Sequence, residues 1–236
     1  MSQHKGGNMT IYYAGDTHGR VNHVAAIDRL ATENGIRFVV QVGDFGIRWP
    51  GKPCPVFKYF EKRARKDRAG PTWITCGGNH DNWDKWNDLA AKQGHPDLVE
   101  LAPGCFFAQR GSVHDLDGVK HIFCGGAEST DRHIRTVGVD WWAAETPTYA
   151  ENTLFFERME SCKPEVVVTH DAPLCVPIDR TQRDKNPTPR NLDNIVRLSD
   201  HKPQRWYFGH HHMMDEWEID GVVYSCCGLH GEYKEG

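Results

Sequence analysis

Residues 9–19 read Met9-Thr10-Ile11-Tyr12-Tyr13-Ala14-Gly15-Asp16-Thr17-His18-Gly19, an apolar run that breaks off into a glycine-flanked Asp-x-His. The β-favouring residues up to Ala14 predict a strand. Gly15 and Gly19 relax the backbone where that strand ends. Asp16 and His18 then lie two apart in an exit loop, where a carboxylate and an imidazole can converge on one metal ion. Asp-x-His alone also occurs by chance in turns. Its weight comes from four later strand ends that carry matching chemistry.

Those ends emerge in chain order. A helix is predicted over 20–34, stopped by Gly35, and a nearly all-apolar strand over 36–42 runs into Gly43-Asp44. A turn-rich loop at 50–55 leads into a helix over 56–68 whose outer face carries Lys62, Arg63, Arg65 and Lys66. A strand over 72–76 ends in Gly77-Gly78-Asn79-His80-Asp81, and a short helix follows over 83–93. This alternation predicts βαβ units and a mainly parallel sheet. Short strands are expected at 98–101, 105–108, 112–116 and 119–124, the last two joined by the hairpin signal Asp117-Gly118. A polar, aromatic-rich insertion spans about 125–150 and holds Trp141-Trp142. After a helix over 152–162, a strand over 165–169 ends at His170-Asp171. Residues 172–189 read as a long loop rich in proline and charge, and 191–198 as a short helix. A strand over 204–208 ends in Gly209-His210-His211-His212, and 216–219 with 222–226 form a hairpin around Asp220-Gly221.

The 236 residues suffice for one large α/β domain, expected over 9–236 behind a loose polar tail at 1–8. A formal charge of −4 argues against a protein that coats nucleic acid non-specifically, although a nucleic-acid substrate stays open. The eight cysteines form no C-x-x-C pair, which favours free thiols in a reducing cytoplasm over a disulfide framework or a cysteine zinc site. No apolar stretch is long enough for a transmembrane helix, and the start lacks the apolar core of a signal peptide.

Asp16/His18, Asp44, Asn79/His80, His170 and His210/His212 all follow strands, at the sheet edge where α/β proteins bind ligands. A surface histidine or a turn asparagine explains any one of them. The same bland account would have to hold five times over.

The ordered set Gly15-Asp16-Thr17-His18-Gly19, Gly43-Asp44, Gly78-Asn79-His80-Asp81, His170 and Gly209-His210-His211-His212 resembles the signature of calcineurin-like metallophosphoesterases. The resemblance implies a four-layer α/β/β/α sandwich with a dinuclear metal site at the C-terminal ends of the strands. By position, Asp16, His18, Asp44 and His212 would hold one divalent ion. Asp44, Asn79, His170 and His210 would hold the other, with Asp44 bridging. The activity implied is hydrolysis of a phosphomonoester or phosphodiester by a hydroxide bridging the two ions. A nuclease or nucleotide phosphodiesterase is the nearest alternative, with the basic 62–68 face and Trp141 or Trp142 meeting the substrate, and a non-catalytic metal-binding scaffold the next. Imidazole with carboxylate suits manganese, iron or zinc, with manganese the first choice. His80 would reach the phosphate or the leaving group, with Asp81 and Arg48 as further catalytic candidates and Arg132 as a candidate phosphate grip.

The sequence departs from the protein-phosphatase branch at Ile47, where an acidic residue would orient the histidine, at Asp81, which replaces a glutamate, and at Gly77, which replaces an arginine. Gly125-Gly126-Ala127, Ser129, Asp131-Arg132 and Trp141-Trp142 resemble a stretch of small bacterial and phage members of the superfamily. The loop at 172–189, with Arg180, Arg183 and Lys185, is expected to form a mobile rim that contacts substrate.

Overall fold

The apolar run at the start of the chain forms strand β1 (Ile11–Ala14), which is buried from Tyr12 onward. The structure is a computed structural model and describes residues 10–46, 54–178 and 183–229. The expected tail at 1–8 and most of the turn at 50–55 lie outside those residues.

Strands β2 (Phe38–Gln41), β3 (Thr72–Thr75), β4 (Leu98–Ala102) and β5 (Cys105–Ala108) join β1 in a sheet of order β1-β2-β3-β5-β4. Its pairings are parallel except β4 with β5. The second sheet contains β6 (Val113–Leu116), β7 (Val119–Cys124), β8 (Val166–Thr169), β9 (Arg205–Phe208), β10 (Asp215–Ile219) and β11 (Val222–Cys226). Its order is β10-β11-β9-β8-β7-β6, parallel in the middle and antiparallel at both edges. Both edge hairpins turn on Asp-Gly with positive φ at each residue, Asp117-Gly118 and Asp220-Gly221, as the sequence predicts.

Neighbouring residues on the central strands face different layers. Tyr12, Val39 and Trp73 pack toward helices α1 (Val21–Glu33), α2 (Pro55–Arg65) and α3 (Trp83–Lys92). Tyr13, Val40 and Ile74 pack between the sheets, against Phe123, Val168 and Tyr207. Val167 and Trp206 face the far side, with Phe155 of α4 (Tyr149–Cys162) and Leu192 of α5 (Pro187–Leu198). The result is the four-layer α/β/β/α arrangement. A strand buried on both faces reads as a continuous apolar run, so alternation is absent from the sequence while the layering is real.

Two helices begin earlier than expected. Thr148 and Glu151 form a reciprocal capping box that starts α4 at Tyr149. Asn186 caps α5, and Pro187 occupies its first turn, where a missing N–H costs nothing. That correction shortens the loop expected at 172–189. Its character differs as well. Arg183 is buried and donates to the carbonyls of Ala172, Pro173 and Val176. Arg183 is thus an internal staple of this loop and does not reach outward as a rim residue. Arg180 lies outside the described residues.

The segment at 125–150 has two short 3-10 turns, Arg132–Ile134 and Ala143–Glu145. Arg110 anchors it. The buried guanidinium donates to the carbonyls of Gly125, Ala144 and Glu145, pairs with Glu151, and lies 3.8 Å from the centre of the Trp83 ring. Trp142 is buried in the first core, and Trp141 donates its indole N–H to Glu145. The Trp142 ring is therefore not free to stack on a base, while the Trp141 ring is half-buried.

Candidate metal centre

Four of the residues read as ligands have a backbone that non-glycine residues seldom adopt: His18 (φ 48°), Asp44 (φ 53°), His210 (φ 66°) and His212 (φ 52°). Left-handed backbone outside glycine is uncommon and gathers at functional sites. The other such residues in the described chain end helices or turn hairpins and loops.

The glycine before a ligand lets two loops close upon each other. A Cβ on Gly78 would collide with Asp44 Oδ1, and one on Gly209 would collide with Asp16 Oδ1. Any side chain at either position would displace a carboxylate.

Asp16, His18, Asp44 and His212 bring one ligand atom each to within 4.8 Å of the others. His212 Nε2 is 3.2 Å from Asp16 Oδ2 and 3.1 Å from His18 Nε2. His18 Nδ1 is 3.8 Å from Asp44 Oδ2. Both carboxylates are almost fully buried. Burial pushes Asp16 up, against the pull of His212, and the hydrogen bond with Asp16 pushes His212 up. Two buried carboxylates among imidazoles are costly without a cation, and their donor set is that of a divalent transition metal.

The second group converges on the other side of Asp44. His170 is fully buried, and its Nδ1 donates to the carbonyl of Val42 at 2.8 Å. Burial holds its pKa well below the ordinary value, helped by His210. The ring is therefore neutral, and Nε2 carries a lone pair. That lone pair faces Asn79 Oδ1 at 3.1 Å and Asp44 Oδ1 at 3.6 Å. Three acceptor atoms with no proton among them fit a cation. The His210 ring lies 5.0 Å from the His170 ring, centre to centre. Burial drives His210 down to about 4, outweighing Asp171, so it too offers a neutral nitrogen. His211 points elsewhere. Its Nε2 is 3.0 Å from Asp171 Oδ1, and this bond, against burial, holds Asp171 below the usual carboxylate range.

His80 sits at the mouth, its side chain about a third exposed and its Nε2 4.0 Å from Asp44 Oδ2. Its backbone N–H donates to Asp44 Oδ1 at 2.8 Å. Asp81 is placed differently from the expected catalytic carboxylate. It is fully buried and accepts from the backbone N–H groups of Phe45, Gly46 and Gly78. It ties the β2 exit loop to the β3 exit loop. Arg48 lies outside the described residues. Arg132 is largely exposed and pairs with Glu128, whereas Arg135, which the sequence reading passed over, lies against His80. Its Nη1 is 3.0 Å from His80 Nδ1 and its Nη2 is 3.3 Å from Nε2. Asp131 holds the guanidinium from behind, with Nε to Oδ1 at 2.7 Å, and Arg135 in turn keeps Asp131 below its ordinary pKa against the opposing effect of burial. Ser129 and Glu145 were also missed as site residues. Ser129 Oγ meets Asn79 Nδ2 at 3.0 Å, and both oxygens of Glu145 contact Ser129. The available signals were the acid-then-arginine spacing from 131 to 135 and the place of Ser129 in the stretch at 125–132.

The chain belongs to the calcineurin-like phosphoesterase family, whose model matches residues 9–214. No curated protein matches it by sequence. Among solved structures, the TT1561 protein of Thermus thermophilus superposes with a TM-score of 0.60 at 10% identity, covering 94% of this chain and 90% of that one. GAP50 of Plasmodium, the anchor in the inner membrane complex, gives 0.54 at 14% identity, over 97% of this chain and 75% of that one. Phosphopantetheinyl hydrolase from Mycobacterium tuberculosis gives 0.51 at 15% identity, over 95% and 91%. Identities this low establish a shared fold. Membership makes a phosphate-ester hydrolase with a metal-binding site the coarse description. Among the described residues, no helix is long and apolar enough to cross a membrane.

Proposed function

We propose that the protein hydrolyses a phosphoester with two divalent ions, manganese in the first instance, held by Asp16, His18, Asp44 and His212 and by Asp44, Asn79, His170 and His210. The observation that carries this reading is the convergence of carboxylate, imidazole and amide ligand atoms on both sides of Asp44. Bound there, two ions would neutralise the phosphoryl oxygens and acidify a water as nucleophile. The chain's own residues do the rest. Asp44 lies between the two groups and is fixed by the His80 amide. His80, at the open mouth, is placed to meet the phosphate or the leaving oxygen. Arg135 and Asp131 hold its ring.

A panel of p-nitrophenyl phosphate, its bis ester, nucleotides, phosphopeptides and short nucleic acids, run with manganese, iron or zinc, tests this reading and separates monoester from diester chemistry. Turnover that depends on added metal is expected. Two tightly bound ions with no turnover of any substrate would overturn it in favour of a scaffold, a role akin to the anchoring one that GAP50 has on this fold. A nuclease is the second reading, but the groove between α1 and α2, about 820 Å³ and lined by Arg29, Lys62, Arg63, Lys66 and Arg68 together with Asp28 and Glu33, has its basic residues at the C-terminal ends of these helices, away from the strand ends that carry the candidate ligands. Trp142 is buried in the first core, which leaves the half-buried Trp141 as the one of the two rings able to meet a base.

A further inference from the structure

We infer that Glu145 and Ser129, in the segment between β7 and α4, are positioning residues that set which face of the Asn79 amide is presented to the metal centre. The inference rests on the reading of Asn79 as a ligand.

An asparagine side chain can bind a cation only through its oxygen. Its two ends are nearly alike in shape, so sterics alone leave the orientation open. Something must specify it, and here a directional chain of hydrogen bonds does so. Glu145 is fully buried, which pushes its pKa up to about 7, so at about pH 8 it is mainly the carboxylate, which accepts only. Its Oε1 receives the Ser129 N–H at 2.6 Å and the Trp141 indole N–H at 3.0 Å. Its Oε2 lies 3.0 Å from Ser129 Oγ, so the hydroxyl proton must point at Glu145. That leaves Ser129 Oγ as an acceptor toward Asn79, and the Asn79 NH₂ donates to it at 3.0 Å. Asn79 Oδ1 is thereby turned toward His170 Nε2, which itself lies 3.6 Å from Asp44 Oδ1. The polarity runs one way, from a buried charge to a ligand oxygen. The arm that carries it is fixed by Arg110, which grips the Glu145 and Ala144 carbonyls. Outer partners of metal ligands commonly alter affinity about 10–100-fold when removed.

This polarity specifies what Glu145→Gln does. With its oxygen kept on the Ser129 and Trp141 N–H groups, the glutamine would turn its NH₂ to Ser129 Oγ. The serine proton would then go to Asn79 Oδ1, and the Asn79 NH₂ would face the His170 lone pair. Every group is satisfied, so the metal-free variant folds, but the amide offers the wrong end to a cation. Ser129→Ala removes the link instead of reversing it, and Ser129→Thr restores the hydroxyl.

The test is a titration of the metal-free protein with Mn²⁺ at about pH 8, followed by calorimetry and by the spin-coupling signal of paired manganese, with thermal melts of each metal-free variant. Glu145→Gln and Ser129→Ala should weaken the second ion about 10–100-fold and lose the paired signal. They should leave the first ion in place, and Ser129→Thr should recover the signal. Combining the two substitutions should cost no more than the worse one alone, because both act through Asn79. Asn79→Ala is the reference. If it leaves both ions unaffected, the ligand reading fails. If it loses the second ion while folded Glu145→Gln and Ser129→Ala retain it, the ligand reading stands and the positioning role is overturned.

Discussion

His80 and Arg135 sit 55 residues apart in the chain and in contact in space. The guanidinium only donates and meets both ring nitrogens, of which a neutral imidazole offers one as acceptor, so one contact is a hydrogen bond, the other is packing, and together they hold the ring against rotation. His80→Ala should keep both metals and lower kcat about 10²–10⁴-fold. Arg135→Ala should keep both metals with a smaller loss, and the double variant should be no slower than His80→Ala. Additive losses would show that Arg135 acts on its own. Asp81 calls for a different experiment, since its carboxylate takes three backbone amides and faces no open space. Asp81→Asn sets an NH₂ against N–H donors and should cost about 1–3 kcal/mol, read by denaturant melts. A folded variant of unchanged stability with lost turnover would return Asp81 to the chemistry. The candidate ligands were legible in sequence because each follows a strand and most have a glycine nearby. Arg135, Ser129 and Glu145 were not, because their partners are assigned only by the folded chain.

Strands β1 and β7 belong to different sheets, and a polar contact joins them within the apolar packing between the layers. The Tyr13 hydroxyl meets His121 Nε2 at 2.7 Å, and His121 Nδ1 meets the Val119 carbonyl at 2.9 Å. The carbonyl can only accept, so Nδ1 carries the proton and Tyr13 donates to Nε2. Burial drives His121 down to about 4 from an ordinary 6.5. As pH falls from about 6.5 to about 4, the unfolded chain takes up a proton that the folded chain refuses, so stability falls across that window and is unaffected above it. The loss should be on the order of 3 kcal/mol for this group. Replacing both partners, Tyr13→Phe with His121→Leu, avoids stranding either one. Urea melts at pH 7 and pH 4.5 should show a shallower acid loss in the double variant than in the wild type. Equal losses would mean that other groups carry the acid sensitivity. This pair had no signature in the sequence, where His121 simply follows Lys120 ahead of the apolar Ile122-Phe123-Cys124. The Asp-Gly hairpins did, because a two-residue turn is a local choice. The start of α4 was equally local, and Thr148-x-x-Glu151 went unread beside the stronger apolar spacing that follows.

The two candidate ligand groups are also a seam between the sheets. Asp16, His18, Asp44 and Asn79 leave the ends of β1, β2 and β3, whereas His170, His210 and His212 leave β8 and β9 of the opposite sheet. Protein contacts already cross there. His170 reaches the Val42 carbonyl, and the His210 N–H reaches Asp16. Ions at this edge would tie the layers together where the apolar interface stops. A ligand that binds only the folded state adds about 2.7 kcal/mol when present at 100 times its dissociation constant. Two such ions would add about 5 kcal/mol, and at about 2–4 °C per kcal/mol for a chain of this size the melting temperature should rise by roughly 10–20 °C. Melts of chelator-stripped protein with and without Mn²⁺ measure this directly. The gain should halve in His212→Ala, which touches one group, and vanish in Asp44→Asn, which sits between both. Stripped and loaded protein melting together would break the link between the metal centre and the packing of the two sheets. A full gain in Asp44→Asn would do so as well, by moving the ions away from the residue on which both groups converge.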